Sequence, residues 1–308
     1  MKRVVITGAT SMIGVALVEE CISNGIEVLG IVRKNSSHLA RLPQSKLLEL
    51  RECELDNLDS IIDVQGTYDV LYHFAWDHTS KSDRDNPIYQ ERNIKYTLDA
   101  VNLAKRLGCK KFVGAGSQAE YGRVDGIITP ETPIAPLISY GAAKYAAGLL
   151  SRKLCDSYGI TCIWARIFSV YGRYDNEGTM LHYAIDRFIA GEKANFSAAT
   201  QKWDYLHEKD AGRMFFLIGE RANRSKVYCV ASGESKPLKE FILELKDIFG
   251  PTVECAFARE SLPSQSVSLE ANIEDLINDI GFRPQISFRE GIEDIIQYRM
   301  SKGEKRIL

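Results

Sequence analysis

Short apolar runs that alternate with longer helical patterns constrain this chain of 308 residues more than any other feature. The clearest apolar runs lie at residues 4–7, 27–32, 47–53, 69–75, 111–115 and 161–170. Helical patterns separate several of these runs, and three of the patterns close at a glycine, as helix ends often do: Gly25, Gly108 and Gly159. Near-continuous apolar strands are typical of a parallel sheet covered by helices on both faces. The sequence therefore predicts an α/β fold with a doubly wound parallel sheet, the Rossmann arrangement.

The alternation becomes less regular after about residue 171, which predicts a second structural unit. We expect residues 1–170 to form the Rossmann domain and residues 205–231 to return to it. Residues 171–204 and 232–308 are then predicted to form a smaller, C-terminal substrate-binding lobe that is interleaved with the sheet.

Composition limits the classes of partner that this chain can have. Apolar residues make up 45% of the chain and charged residues 26%, as in ordinary globular proteins. A net charge of -2 gives no reason to expect nucleic acid or an anionic membrane as a partner. No apolar run approaches membrane-spanning length and no leader pattern precedes the first strand, so we expect a cytoplasmic protein. The seven cysteines and five histidines are dispersed, which predicts free thiols and no metal site.

The segment that follows the first apolar run predicts a phosphate-binding turn. It reads TGATSMIG (7–14) and leads from a strand into a helix. Glycines allow a tight turn and close approach of the backbone, and a helix N-terminus offers free N–H groups to a pyrophosphate. Ser11 stands at the middle position of this motif, where a glycine is usual, and its small side chain should still fit. The predicted cofactor contacts of this turn are Gly8, Thr10, Ser11, Met12, Ile13 and Gly14.

Two cations at the end of the second apolar run bear on the choice of cofactor. A site for NAD usually has a carboxylate there, which accepts a hydrogen bond from the ribose 2′-hydroxyl. This chain has Arg33 and Lys34 instead. Because a guanidinium matches a 2′-phosphate in charge and shape, NADP(H) is the favoured cofactor and NAD(H) remains possible.

Three further residues predict an acid–base centre. Ser117 lies at the end of the fifth apolar run, and Tyr140 and Lys144 are four residues apart in a helical pattern, so they share one helix face. A nearby ammonium lowers the pKa of a tyrosine and makes it a usable acid or base. We predict that Ser117 polarises a carbonyl, that Tyr140 transfers the proton, and that Lys144 also binds the nicotinamide ribose.

Together these motifs resemble the extended short-chain dehydrogenase/reductases, the NAD(P)-dependent sugar-nucleotide epimerase/dehydratase family. The resemblance runs over nearly the whole chain. It rests on TGATSMIG (7–14), HFAW (73–76), ARIFSVYG (165–172), WDYLHEKDAG (203–212) and IGFRPQISFREGIEDII (280–296). It implies that Ser117, Tyr140 and Lys144 are the catalytic triad. Phe74, Ala75 and Asn93 would then contact the cofactor, and Asp56 is predicted with them.

The family implies epimerases, dehydratases and reductases, which share one hydride-transfer centre. Dehydratases of the family typically carry Asp-Glu, or at least a Glu at the second position, just after the strand-end hydroxyl residue. Here Gln118 and Ala119 occupy those positions, with Glu120 one position later. Since the cations at the second strand favour NADPH, the sequence favours reduction of an NDP-4-keto-6-deoxyhexose. The alternatives are a nucleotide-sugar 4-epimerase, a reductase of a non-nucleotide ketone or aldehyde, and a non-catalytic protein that senses NADP.

The substrate side departs from the family pattern. Ser169 replaces a common asparagine and Trp203 replaces a common arginine, so Lys202, Arg173 or Arg213 would have to hold a diphosphate. The predicted substrate-binding residues are Trp76, His78, Gln118, Ser169, Arg173, Trp203 and Arg213. The family often dimerises through two helices, here 87–107 and 139–158, so a homodimer is possible.

Overall fold

A computed structural model describes residues 1–62, 64, 66–259 and 267–303 of the protein. Its strands are β1 Arg3–Thr7, β2 Glu27–Val32, β3 Leu48–Glu52, β4 Val70–His73, β5 Lys111–Ser117, β6 Thr161–Ile167, β7 Ser169–Tyr171, β8 Ala194–Phe196, β9 Lys202–His207, β10 Lys226–Val230, β11 Ser235–Pro237 and β12 Cys255–Phe257. Its α-helices are α1 Met12–Ser23, α2 Pro87–Arg106, α3 Ser139–Tyr158, α4 Met180–Ile189, α5 Glu208–Arg221, α6 Leu238–Phe249, α7 Glu274–Ile280 and α8 Phe288–Ser301.

Seven parallel strands form the main sheet in the order β10-β6-β5-β4-β1-β2-β3. The order reverses between β1 and β4, whose carboxyl ends are paired at Thr7 and His73. In open α/β sheets, ligands bind outside the strands at this kind of reversal. The predicted α/β Rossmann fold is confirmed, and the expected ligand crevice lies at the ends of β1 and β4.

Apolar side chains fill both faces of the sheet, as the continuous apolar strands predict. One core joins β1 and β4 to residues of α1 and α5, including Leu17 and Phe215. The other joins the opposite face to α2 and contains Leu71 and Phe112. Because successive side chains of a strand point to opposite faces, strands apolar at every position bury both layers of helices at once.

The second lobe contains a three-stranded sheet of β7, β9 and β11 and a parallel pair of β8 and β12. The apolar run at 161–170 belongs to both units, because it divides at Phe168 into β6 of the main sheet and β7 of the small one. After β9, helix α5 and strand β10 lie on the main sheet. Parts of the predicted lobe, residues 260–266 and 304–308, lie outside the described residues.

Within the described part of the chain, no helix is long and apolar enough to cross a membrane. The same residues contain no cluster of three or more histidine, cysteine or acidic side chains that could hold a metal ion.

Candidate active site

A cleft of about 1610 Å³ opens at the carboxyl ends of the main strands and extends into the second lobe. Residues from the turn after β1, the ends of β2, β4 and β5, and helix α3 line it at the sheet. Beyond them, the cleft continues along aromatic and amide side chains of the second lobe, which are Tyr183, Asn195, Phe196, Gln201, Trp203 and Tyr205. Its shape suits a long ligand that reaches from the sheet into the lobe.

The turn between β1 and α1 is packed too tightly for side chains at two of its glycines. Gly8 has φ of +70°, and a Cβ there would lie 2.7 Å from the backbone nitrogen of Ala75. A Cβ on Gly14 would lie 2.3 Å from the Gly8 carbonyl oxygen. Ser11 is the N-cap of α1, and its hydroxyl accepts the Gly14 N–H at 3.1 Å. This cradle and the helix N-terminus fit the pyrophosphate of a dinucleotide.

Polar side chains of opposite charge line the cleft beyond β2 and β3. Arg33, His38 and Arg41 contribute positive or titratable groups, and Glu54 and Asp56 contribute carboxylates. The pKa of His38 lies below its ordinary value, because partial burial and then the positive charges of Arg41 and Arg33 disfavour its protonated form. This mixed surface lies where the adenosine ribose of a dinucleotide would be held in a Rossmann fold.

Ser117, Tyr140 and Lys144 meet in the cleft, although they come from β5 and α3. Ser117 is the last residue of β5, and its hydroxyl accepts the Ala119 N–H at 3.1 Å. The ring of Tyr140 lies edge-on to Trp76, with 5.9 Å between the centroids. Burial raises the pKa of Tyr140, while the positive charge of Arg84 and the Ser117 hydroxyl act in the opposite direction. The pKa of Tyr140 therefore depends on a balance between burial, which raises it, and the neighbouring Arg84 and Ser117, which lower it.

Lys144 is buried, with 4% of its surface exposed, and its ammonium has two partners. Nζ donates to the Ala115 carbonyl at 2.7 Å and lies 3.6 Å from the centroid of the Trp76 ring. Burial lowers the pKa of Lys144 to about 7, although the Glu120 carboxylate opposes that shift. Near neutral pH this side chain can therefore exist with or without its charge.

Residues 4–231 match the NAD dependent epimerase/dehydratase family. The chain belongs to that family. The match confirms the predicted resemblance and makes the protein an NAD(P)-dependent enzyme of the extended short-chain dehydrogenase/reductases.

Individual members of the NAD dependent epimerase/dehydratase family are similar over the whole length. A dTDP-glucose 4,6-dehydratase of Streptomyces niveus is 20% identical and covers 96% of this chain and 92% of its own. The structure of a UDP-N-acetylglucosamine 4-epimerase from Methanobrevibacter ruminantium M1, in complex with UDP-N-acetylmuramic acid, has a TM-score of 0.86 at 22% identity and covers 98% and 99% of the two chains. A UDP-glucuronic acid 4-epimerase from Bacillus cereus, in complex with UDP-glucuronic acid and NAD, has a TM-score of 0.82 at 20% identity and covers 97% and 99%.

Most of the predicted cofactor residues of this family member lie on the cleft. They are Gly8, Thr10, Ser11, Met12, Ile13, Arg33, Asp56, Phe74, Ala75 and Lys144. Gly14 lies behind the turn, where the absence of a side chain lets α1 approach β1. Lys34 and Asn93 do not line the cleft. The Lys34 backbone donates to Glu54 at 3.0 Å, and the Asn93 amide braces the segment after β4 through both the N–H and the carbonyl of Asp77.

The predicted substrate residues divide into two groups. Trp76, His78, Gln118, Ser169 and Trp203 line the cleft. The cations that were expected to hold a diphosphate do not line it, and each of them pairs with a carboxylate. Arg173 pairs with Glu208 and Glu19, Arg213 pairs with Asp210, and Lys202 pairs with Glu270.

Glu120, the carboxylate closest in sequence to Ser117, is fully buried and does not line the cleft. It pairs with Arg166 at 2.7 Å, accepts the indole N–H of Trp164 at 2.9 Å, and accepts the backbone N–H of Ser117 at 2.9 Å. Its contacts are those of a structural ion pair that fixes the end of β5. The structural interpretation of this residue is therefore favoured over a role in proton transfer.

Arg84, His38, Arg41 and Glu54 also line the cleft, and none of them stood out in the sequence. Arg41 ends the short 3₁₀ helix Leu39–Arg41, and the other three come from turns or irregular segments, so no periodic pattern indicates which way these side chains point. A weak signal existed for Arg84, because it lies between the HFAW strand end and the Pro87 helix start. Long connections of this kind often carry functional residues.

Proposed function

We propose that this enzyme is an NAD(P)-dependent nucleotide-sugar 4-epimerase. The observation that carries the proposal is the convergence of Ser117, Tyr140 and Lys144 in one cleft. The turn after β1 opens one end of that cleft, and the aromatic wall of the second lobe forms the other. Similarity to two 4-epimerases over nearly the whole chain supports epimerisation over the net reduction that the sequence alone favoured.

The residues of the centre supply the proton chemistry. Tyr140, as phenolate, would take the proton of the sugar 4-hydroxyl and return it to the same oxygen after the ketone is reduced from the other face. The Ser117 hydroxyl would donate a hydrogen bond to that oxygen while it is a carbonyl. Lys144 would favour the phenolate and hold the nicotinamide ribose. A nicotinamide cofactor, held by the turn after β1 and by Lys144, would supply the hydride chemistry there.

Dehydration is disfavoured by the residues that follow Ser117. Gln118 lies on the cleft but cannot exchange a proton, and Ala119 has no polar side chain. Glu120 is committed to Arg166 in the interior. An elimination needs an acid and a base beside the sugar in addition to Tyr140, and these positions supply neither.

The second lobe offers a surface for a planar base. Tyr183, Phe196 and Trp203 line this end of the cleft, and Asn195 and Gln201 add amide groups. Aromatic side chains bury large areas against planar rings and so favour a nucleobase there. We therefore propose a nucleotide sugar as substrate, with its base in the second lobe and its sugar beside Tyr140.

A second candidate is an NADPH-dependent reductase of a nucleotide 4-ketosugar. The specific observation in its favour is the pair of guanidinium groups, Arg33 and Arg41, on the cleft beyond β2. An epimerase recycles its cofactor and gains little from NADPH, whereas a reductase consumes it. Glu54 and Asp56 line the same surface, and their carboxylates would repel the 2′-phosphate of NADPH, so this argument for the reductase is weaker.

One experiment separates the candidates. Purified protein is incubated with UDP-glucose, UDP-N-acetylglucosamine, UDP-glucuronic acid and dTDP-glucose, with catalytic NAD or NADP, and the sugars are analysed by NMR. A 4-epimer that accumulates without net change in nicotinamide absorbance is the expected result. The parallel assay supplies dTDP-4-keto-6-deoxyglucose with stoichiometric NADPH.

Oxidation of NADPH in that parallel assay, together with no epimer from the four sugars, would replace the epimerase with the ketoreductase. Turnover of simple ketones or aldehydes alone would replace the nucleotide sugar as substrate. Binding of NADP without turnover in any assay would support a sensing role. The Tyr140→Phe protein, which should be inactive in every assay, is the control for contaminating enzymes.

A further inference from the structure

We propose that Arg84 is a positioning residue for the proposed acid–base tyrosine, a second cation that acts with Lys144 to stabilise the Tyr140 phenolate. The inference rests on the proposed role of Tyr140. It concerns a residue outside the Ser117–Tyr140–Lys144 triad, in the segment of residues 77–86 between β4 and α2. We call residues 77–86 the capping segment.

The position of Arg84 is fixed by backbone contacts with the helix that carries Tyr140. The Arg84 carbonyl accepts the Tyr140 backbone N–H at 2.9 Å, and the neighbouring Asp85 carboxylate accepts the Ser139 N–H at 2.9 Å. These N–H groups belong to the first turn of α3, where a helix has no partners of its own for them. The guanidinium carbon of Arg84 lies 4.2 Å from the centroid of the Tyr140 ring.

The N-terminal part of the capping segment is also held by hydrogen bonds, in this case to α2. Asn93 of α2 accepts the Asp77 N–H at 2.8 Å and donates to the Asp77 carbonyl at 3.1 Å. Gln90 of the same helix donates to the carbonyls of His78 and Asp83. Since both ends of the segment are hydrogen-bonded to helices, the backbone of Arg84 is held beside Tyr140.

Lys144 is poorly placed to stabilise the phenolate alone. Its Nζ lies 5.7 Å from the centroid of the Tyr140 ring, and it is engaged by the Ala115 carbonyl and the face of Trp76. Its pKa is lowered to about 7 by burial, so its charge is incomplete near neutrality. A guanidinium keeps its charge throughout this range of pH. Arg84 is thus the constant cation of the pair.

Glu120, in the turn after β5, is a further charged group that acts on Tyr140. Its carboxylate opposes the phenolate, but Arg166 neutralises much of that charge. The Ser117 hydroxyl favours the phenolate by hydrogen bonding. Arg84 has a buried Nε with no hydrogen-bond partner in the protein, so it has capacity left for an oxyanion.

The test measures the pKa of Tyr140 directly and needs no substrate. Tyrosinate absorbance near 295 nm is recorded against pH for the wild type and Arg84→Met, each minus the same protein carrying Tyr140→Phe. We expect the Tyr140 pKa to rise by about one unit or more in Arg84→Met, since an opposite charge at this range shifts a pKa by about that amount. Arg84→Lys, which keeps the charge, should restore at least half of the difference.

Lys81→Met is the matched control, because it removes an exposed cation from the same segment. A Tyr140 pKa that is unchanged in Arg84→Met, or that shifts as much in Lys81→Met, would overturn the proposal. Thermal unfolding confirms that each variant is folded. Where the proposed epimerase activity is found, the alkaline shift should also appear in the pH dependence of kcat. Absence of that activity would leave the absorbance test intact, so the two failures are distinguishable.

Discussion

Single side chains of the proposed reacting centre should differ in how well a substitution is tolerated, and we expect Tyr140 to tolerate it least. Tyr140→Phe keeps the ring beside Trp76 but removes the hydroxyl that we propose exchanges the proton. We expect kcat/KM to fall by about 10²–10⁴-fold with little change in cofactor affinity, because loss of a positioned acid–base group costs about this much. Steady-state kinetics and fluorescence titration with the cofactor measure the two quantities. Tyr145→Phe, on the same helix and away from the cleft, should leave both unchanged.

The neighbouring cations Arg33 and Lys34 give a matched pair for cofactor choice. Arg33 lines the cleft, whereas Lys34 does not. If Arg33 binds a 2′-phosphate, Arg33→Ala should weaken NADP⁺ at least about tenfold, the value of one charge-assisted contact, and NAD⁺ by less than about threefold. Lys34→Ala should change neither affinity by more than about threefold. Calorimetric titration with each dinucleotide measures this, and equal losses for NADP⁺ and NAD⁺ in Arg33→Ala would contradict the assignment.

Residue-level inference from the sequence succeeds where a motif fixes the backbone and fails where long-range partners decide. Ser117, Tyr140 and Lys144 lie together because a strand end and a helix face determine their directions. Arg173 and Arg213 carry the charge expected of a diphosphate site, yet Glu208 and Asp210 engage them. A sequence shows that a cation exists but does not show which carboxylate folds against it.

Among the elements, the turn between β1 and α1 is the most sensitive to a single added carbon. Gly14 lies inside α1, where alanine is ordinarily favoured over glycine by about 1 kcal/mol. Here the added Cβ would lie 2.3 Å from the Gly8 carbonyl oxygen, a backbone atom that cannot move away cheaply. Gly14→Ala should therefore lower the free energy of unfolding by about 1–3 kcal/mol, as overpacking does, and weaken cofactor binding at least tenfold.

Urea unfolding and cofactor titration check the Gly14→Ala prediction. Gly178→Ala is the control, since a Cβ at that position would meet no atom within 4 Å. Wild-type stability or a gain of stability in Gly14→Ala would show that the turn relaxes and that close packing of α1 on the turn is unimportant.

Helices and strands of the first half were predictable because their apolar periodicity is strong. Helix α2 was expected over residues 87–107 and is observed as Pro87–Arg106. The run at 161–170 is uniformly apolar, and nothing in it indicated the division at Phe168 that sends β7 into the second lobe. The conformation of the capping segment was equally unpredictable. It depends on hydrogen bonds to Asn93 in α2 and to the backbone of Tyr140 in α3, and no local pattern in the sequence indicates these partners.

At the scale of the whole molecule, the interleaved chain path explains how one cleft can serve two lobes. The end of β6 leads directly into β7, and β9 leads directly into α5, so the chain passes between the main sheet and the lobe without a linker. Both passages lie next to cleft residues, Ser169 and Tyr205. The cleft residues of the lobe, which we propose contact the substrate, are therefore joined directly to the strand ends that position Ser117 and the turn after β1.

Close packing at the carboxyl end of β4, where His73 lies, also makes the stability of the molecule depend on pH. His73 is 2% exposed, stacks on Phe112, and shares a hydrogen bond of 2.8 Å between its Nδ1 and the Thr7 hydroxyl. Burial lowers its pKa to about 3, and the nearby Lys144 charge acts in the same direction. Since the pKa of an unfolded histidine is about 6.5, the unfolded chain binds a proton on acidification that the folded protein does not bind.

Acidification from about pH 7.5 to about pH 5 should therefore lower the free energy of unfolding, and His73 alone should account for about 2 kcal/mol of that loss. The loss continues until the pH reaches the folded-state pKa near 3. Urea unfolding at the two pH values measures it. His73→Phe removes the titrating group, so its stability should fall by about 2 kcal/mol less than that of the wild type over the same interval, whatever its stability at pH 7.5. His182→Phe, at a partly exposed histidine, should retain most of the wild-type sensitivity. If His73→Phe and the wild type lose the same free energy of unfolding between the two pH values, His73 takes up its proton in the folded protein as it does in the unfolded chain, and the prediction is wrong.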